Sequence, residues 1–176
     1  MINLETENLT LRSLSDSDWP LFLEMNSSVD VCRFIRPPQA EDETRQTFEQ
    51  RKKPWDFDLN EWLALVLEDR DGNFVGYSGF RCIDEEYKDA EVGYMMHPSA
   101  QGKGFATEAL QTITQWGIHK YGIRKFIAYC DVENIGSQRV LQKTGFCQEG
   151  VLREHVQNGE RWVDDCVFGL LSREIK

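Results

Sequence analysis

The sequence predicts a mixed α/β fold in one domain, and three observations carry that expectation. Two apolar-rich segments meet across turn chemistry at Asp71-Gly72-Asn73, as the strands of an antiparallel hairpin do. From Gly104 to about Lys120 the apolar residues Ala106, Ala109, Leu110, Ile113, Trp116 and Gly117 recur at helical spacing. That helix separates two strand-like segments, so residues 90–132 read as a strand–helix–strand unit. A length of 176 residues suits one domain, 1–176, and no repeat, linker or low-complexity segment divides it.

Taken in order, residues 8–14 alternate polar and apolar and predict a half-buried strand. Ser15, followed three residues later by Asp18, starts a helix with Pro20 in its first turn and Leu21, Phe22 and Met25 facing the core. Pro37-Pro38 breaks the chain. A charged helix follows over about 41–52, with so few apolar anchors that a mobile surface element is expected. Trp62 to Leu67 and Phe74 to Phe80 are the hairpin strands, and Ala90 to His97 is the next strand, closed by Pro98. Lys125 to Val132 is a strand, and Asn134 to Thr144 is a helix that Gly145 ends. Strands over about 146–155 and 162–171 flank a turn at Asn158-Gly159.

Thirty acidic residues against 20 basic ones leave a formal charge of −10. Such a surface argues against general nucleic-acid binding and against an anionic membrane, and it permits a cationic substrate. The five cysteines, Cys32, Cys82, Cys130, Cys147 and Cys166, form no CxxC or Cys/His cluster, so neither a metal site nor a disulfide framework is expected. The N-terminus lacks a basic region followed by an apolar one, and no apolar run approaches a membrane span. A cytoplasmic protein, monomer or homodimer, is the expectation.

The segment His97-Pro98-Ser99-Ala100-Gln101-Gly102-Lys103-Gly104-Phe105-Ala106 joins a strand to the long helix through a glycine turn. The first N–H groups of a helix have no partners of their own, and with the helix dipole they form a phosphate site that glycines let a ligand approach. The spacing is neither GxxxxGK[ST] nor GxGxxG, since residue 107 is Thr. On the glycines alone, a phosphate turn and a plain connector are both open.

Gln101-Gly102-Lys103-Gly104-Phe105-Ala106 resembles the Q/R-x-x-G-x-G/A signature of the GNAT N-acetyltransferase superfamily, and the run from Asn134 to Phe146 resembles its N-x-x-S-x-x-x-x-x-K-x-G-F helix. Glu149-Gly150-Val151-Leu152-Arg153-Glu154, Asn158-Gly159, Asp164 and Leu9-Thr10-Leu11-Arg12 look like the branch containing ribosomal-protein N-terminal (alanine/serine) acetyltransferases. The resemblance covers about residues 7–172. It implies a twisted, mostly antiparallel sheet of about six to seven strands flanked by helices, with the cofactor at a splay between two adjacent parallel strands. Acetyl-CoA is the implied co-substrate, a primary amine the acceptor.

The resemblance places the backbone of Met95, Met96 and His97 along pantetheine and the amides of Gly102, Lys103, Gly104, Phe105 and Ala106, with Gln101, at the pyrophosphate. Asn134 and Ser137 approach pantetheine and the thioester sulfur, or cap their helix. Arg139 and Lys143 meet the adenosine phosphate, or are solvated charges. Glu91 is the candidate proton acceptor, through water, or pairs near its strand's start; Ser137 is the candidate donor to the leaving thiolate.

Two departures matter. Leu141 stands where many relatives carry a tyrosine acid, and Val156 where some ribosomal-protein acetylating relatives carry a catalytic glutamate, which leaves Glu91 or Glu154 to substitute. For the acceptor, the acidic loop Asp84 to Asp89 either steers cations or is simply solvated, and Trp55, Phe57 and Trp62 line a cleft or complete the core. The charged helix and the Lys52-Lys53-Pro54 turn are the expected seat of specificity. Two functions stay open: N-acetylation of a peptide N-terminus or of a small amine (polyamine, amino acid or aminoglycoside), and non-catalytic acyl-CoA sensing.

Overall fold

The strands of the computed structural model, which describes residues 1–57 and 60–175, form one sheet in the order β1-β2-β3-β4-β5-β6-β8-β7. They are β1 (Asn3–Glu5), β2 (Leu9–Ser13), β3 (Leu65–Asp69), β4 (Phe74–Asp84), β5 (Asp89–Met96), β6 (Lys125–Asp131), β7 (Cys147–Asn158) and β8 (Arg161–Leu171). The helices are α1 (Trp19–Ser27), α2 (Val29–Cys32), α3 (Glu41–Arg51), α4 (Phe105–Tyr121) and α5 (Ile135–Lys143). The mixed α/β class and mostly antiparallel sheet hold, with eight strands in place of six to seven. The added strand, β1, is three residues long, too short for an alternation signal, and exists because Leu4 pairs with Leu11 of β2. The single turn α2, capped by Ser28 accepting from the Val31 amide, was likewise not expected.

Side-chain alternation along the strands gives the sheet two cores. On one face, α4 covers Phe80, Val92 and Phe126, and Gly117 lets it sit close, since a Cβ there would lie 2.9 Å from the Phe126 ring. On the other, α1 and α3 cover Val66, Tyr77 and Met95. Contrary to the expected mobile surface element, α3 is anchored. Phe48 is fully buried edge-on to Phe22 and Trp19, at 5.2 and 5.4 Å, and Thr44 is buried beside it. Two inward-facing positions are enough because the Phe48 ring meets two other rings.

The feature that positions the site is a parallel pairing that stops early. β5 and β6 pair only over Asp89–Glu91 and Lys125–Ile127, although β5 runs on to Met96 and β6 to Asp131. Beyond Glu91, β5 therefore keeps β4 on one edge and, among the described residues, has no strand on the other. Among the described residues no helix is long and apolar enough to cross a membrane.

Glu108, in the first turn of α4, ties this helix to the β1–β2 turn by accepting from the Thr6 hydroxyl and from the Asn8 amide at 2.8 Å and side chain at 3.0 Å. Burial pushes its carboxyl up, but these donors outweigh burial and leave it below its usual value. A depressed carboxyl contributes stability above its unfolded value and loses it as pH falls through the folded one. Glu108→Ala is therefore expected to lower stability by about 1–3 kcal/mol at neutral pH. Thermal unfolding should show the gap from wild type closing as the pH is taken into the acid range.

Candidate active site

Where β5 and β6 part, a cavity of about 310 Å³ passes through the sheet. Alternation sorts its lining. Tyr94, Asn134, Ser137 and Leu141 stand on the α5 side, whereas Glu91, Gly93, Met95, Tyr129, Asp131 and Asp165 face the other, under Phe34, Ile35, Arg51 and Trp62. Four of the sequence-predicted residues, Glu91, Met95, Asn134 and Ser137, are thus brought together.

On the α5 side, the Asn134 side chain accepts from the Ser137 amide at 3.1 Å, so it caps the helix while lining the cavity. The Tyr94 hydroxyl lies 2.8 Å from the Ser137 hydroxyl. Burial pushes the Tyr94 phenol up to about 12, which keeps its proton at neutral pH. Cys130, in the same wall, is also pushed up to about 12 by burial and remains a thiol. Tyr94 had no signal of its own in the sequence beyond its place in the β5 alternation with Val92 and Met96.

Past β5, a single turn over Pro98–Ala100 leads to Gly102 and Gly104, with φ of 76° and 85°. Both are in the left-handed region that favours glycine, and a Cβ on either would meet nothing within 4 Å. The first helical bond of α4 runs from the Glu108 amide to the Gly104 carbonyl, so the amides of Phe105, Ala106 and Thr107 have no acceptor within the helix. Gln101 and Lys103 are exposed beside this turn, which follows β5 and contributes no residue to the cavity lining. Met96 packs into the α4 core. His97 is differently placed from the expectation: its amide donates to Val75 and its carbonyl accepts from Ala100, both at 2.9 Å, so its backbone is engaged internally. Arg139 and Lys143 are exposed on α5 without an ion-pair partner among the described residues.

On the opposite side each carboxylate has a cationic or imidazole partner. Oε2 of Glu91 takes both Nε and Nη2 of Arg81, at 2.9 and 2.6 Å, so the expected proton acceptor is tied into an ion pair. Asp131, fully buried, pairs with Arg161, which also holds Glu133. Asp165 lies 2.8 Å from Nδ1 of His155. Trp62 lies over Gly93, where a Cβ would come within 3.2 Å of the indole, and Arg81 stacks 5.4 Å from the ring. Burial, with the Arg36 charge nearby, lowers Arg51 to about 10, so it remains a cation. Arg81, Asp131, Asp165 and His155 escaped sequence reasoning because strand register alone brings them here.

Other expectations resolve simply. Trp62 lines the cavity, whereas Trp55 packs in the core against Phe80 and Tyr121, at 5.3 and 5.4 Å, and Phe57 stacks on Tyr121. The acidic loop is a solvated one: Asp84 accepts from the Tyr87 amide, Asp89 pairs with Arg124, and neither lines the cavity. Of the charged helix, Arg51 does reach the cavity roof, while Lys52 turns to Asp16 and Glu49.

The chain is similar in sequence and in fold to known proteins. The uncharacterized N-acetyltransferase YnaD of Bacillus subtilis (strain 168) is 30% identical over 98% of this chain and 99% of its own. The ribosomal-protein-serine acetyltransferase of Escherichia coli (strain K12) is 31% identical over 74% of this chain and 69% of its own. The fold superposes on the crystal structure of spermidine N-acetyltransferase from Vibrio cholerae in complex with CoA and spermine with a TM-score of 0.84, covering 97% and 99% of the two chains at 23% identity. The model of the acetyltransferase (GNAT) domain matches residues 8–147. The chain belongs to the GNAT acetyltransferases, which are acetyl-CoA-dependent acyltransferases.

Proposed function

We propose that the acceptor is the α-amine of a peptide chain, entering on the Glu91 side while acetyl-CoA lies on the α5 side. The observation that carries this reading is that Glu91, Asp131 and Asp165 are each already matched, by Arg81, Arg161 and His155. A polyamine needs several unmatched carboxylates to replace its lost hydration, whereas a peptide brings a single ammonium group and an uncharged backbone. The ribosomal-protein-serine acetyltransferase relative supports the same choice. The spermidine enzyme's likeness keeps a small amine as the second reading.

In this reading pantetheine pairs with the free edge of β5 at Met96, as an added strand does, while the backbone of Met95 faces β4. Pyrophosphate sits at the amides from Gly102 to Ala106, beside Gln101 and Lys103, and Arg139 and Lys143 serve the adenosine phosphate. The neutral amine attacks the thioester carbonyl, the nitrogen sheds its extra proton to water in the cavity, the C–S bond breaks, and the thiolate takes a proton from Ser137, which Tyr94, 2.8 Å away, restores with a proton drawn in turn from solvent. Oε1 of Glu91, the oxygen that Arg81 leaves free, orients water in the cavity.

The test is a panel of acetyl-CoA with N-terminal peptides, spermidine, amino acids and an aminoglycoside, read by thiol release and product mass. Acetylation of a seryl peptide at its α-amine is expected; preferred turnover of spermidine would overturn the peptide reading. Ser137→Ala is expected to lower kcat about 10- to 100-fold and Tyr94→Phe somewhat less, with acetyl-CoA affinity in both held within about threefold. Since Tyr94 keeps its proton up to about 12, the loss in Tyr94→Phe should be the same across the neutral range. A loss that varied with pH there would remove the relay.

A further inference from the structure

We propose that Arg51 sets acceptor specificity by receiving a carboxylate that the acceptor carries close to its reacting amine. On the peptide reading, on which this inference rests, that carboxylate is an acidic side chain in the first or second residue of the peptide.

The charges around the cavity carry the argument. Its lining holds three carboxylates and, among the described residues, one cation. Glu91, Asp131 and Asp165 are already matched by Arg81, Arg161 and His155, none of which lines the cavity. Arg51 is the cation, and among the described residues its side chain has neither an ion pair nor a hydrogen bond. Arg12, Arg81, Arg124 and Arg161, by contrast, all end on carboxylates. The charge that acts on Arg51 is another cation, Arg36, itself held by the Asn26 side chain and the Pro37 carbonyl rather than by an acid. Burial and this like charge both disfavour the guanidinium, and an anion brought against it offsets both.

The helix end does not account for the residue. Arg51 closes α3, where a cation meets the negative pole of the helix. The bonds at that end come from the Lys52 amide, to the Gln50 and Phe48 carbonyls, and leave the Arg51 side chain unspent. Its guanidinium lies 6.0 Å from the centre of the Trp62 ring, whereas that of Arg81, spent on Glu91, lies 5.4 Å from it. The same indole covers Gly93, just past the last residue of β5 that pairs with β6. One aromatic ring therefore links the unspent cation to the place where the strands part.

A guanidinium presents its N–H donors in a planar fork that fits both oxygens of a carboxylate, and a neutral carbonyl satisfies fewer of them and none of the charge. Cavity size limits how far the carboxylate stands from the amine. An extended peptide advances about 3.3–3.6 Å per residue, and a cavity of about 310 Å³ that also admits the thioester has room for the first two residues. A free amino acid offers the same group as its α-carboxylate. An unmatched cation repels a polyamine, in keeping with the peptide reading.

The experiment measures kcat and KM for hexapeptides beginning Ser-Glu, Glu-Ser, Ser-Gln and Ser-Lys, and for free serine, free glutamate and spermidine. Wild type, Arg51→Met and Arg51→Lys are compared, with acetyl-CoA affinity and thermal unfolding measured beside them. Wild type is expected to prefer an acidic peptide over Ser-Gln by about 10- to 100-fold in kcat/KM, carried by KM. In Arg51→Met the preference should fall to within about twofold, with turnover of Ser-Gln within about threefold of wild type. Arg51→Lys, which keeps the charge and loses the fork, should retain part of it. Acetyl-CoA affinity and melting temperature should hold in both variants, and should Arg51→Met fail to fold, the wild-type panel and Arg51→Lys decide. A wild-type preference within about twofold, a preference that survives in Arg51→Met, or an equal loss on every peptide would overturn the proposal and leave the peptide reading standing. Turnover of free serine or glutamate in place of peptides, lost in Arg51→Met, would keep the carboxylate site and overturn the peptide reading. Preferred turnover of spermidine would overturn both.

Discussion

Replacing Gly104 by glutamate is expected to abolish acetyl-CoA binding and leave the fold standing. Gly104 is the residue before α4, with φ of 85°, and open space surrounds the position where a Cβ would be. The substitution therefore meets no steric block, and the left-handed backbone costs about 1–2 kcal/mol. A carboxylate at a helix N-terminus is favourable for the helix itself, which offsets part of that cost. In the proposed reading the pyrophosphate meets the unpaired amides of Phe105, Ala106 and Thr107, and the same carboxylate would compete for those donors and repel the ligand. Affinity should fall by at least about 100-fold, or about 2.7 kcal/mol. Gly104→Ala separates the two effects, since it carries the backbone strain without the charge and should lose much less. Calorimetric titration with acetyl-CoA, with circular dichroism to check the fold, measures both. Unchanged affinity in Gly104→Glu would remove the phosphate cradle.

The parts of this protein that could be read from its sequence are those whose cause is local. The helix α4 announces itself through Ala109, Leu110 and Ile113, all buried in the structure, and through the glycine turn that precedes it. Ser137 and Asn134 were legible through the resemblance of the Asn134–Phe146 run to a family helix, on which they stand one turn apart. The acceptor side was not, because its groups are assembled by register. Glu91 meets Arg81 across a hairpin whose pairing shifts between Cys82 and Asp84, a slip that no single-strand pattern records. Asp165 meets His155 only because β7 carries extra residues between Leu152 and Val156. The eye-catching acidic loop after β4 draws attention to the wrong carboxylates: those in the cavity come singly from β5, β6 and β8. The expected mobility of α3 failed for a related reason, since one buried phenylalanine against Trp19 and Phe22 anchors a helix whose average polarity is high.

Gly79→Ala is expected to destabilise the protein severely even though it adds a single methyl group. A Cβ at Gly79 would lie 1.8 Å from the Leu63 carbonyl oxygen and 2.9 Å from its carbon, contacts with backbone that no rotamer change relieves. The Leu63 amide is meanwhile held to the Phe80 carbonyl at 2.9 Å, so the chain entering β3 must break that bond or drag β4 with it. Packing that forces backbone to move costs about 1–3 kcal/mol and sometimes more, against a total stability of about 5–15 kcal/mol. Melting should fall by about 6–12 °C for a loss near 3 kcal/mol. Gly150→Ala, on open β7 with nothing within 4 Å, is the control and should stay within about 0.5 kcal/mol. The damage also has a direction. Gly79 lies opposite Gly93, the residue that Trp62 covers, and Trp62 moves with Leu63. Whatever Gly79→Ala protein folds should therefore lose acceptor affinity before acetyl-CoA affinity, because the displaced indole belongs to the acceptor roof and the α4 phosphate turn is untouched. A rise in KM for the peptide with an unaltered acetyl-CoA dissociation constant is the signature to measure; the reverse order would mean that Trp62 does not wall the acceptor side.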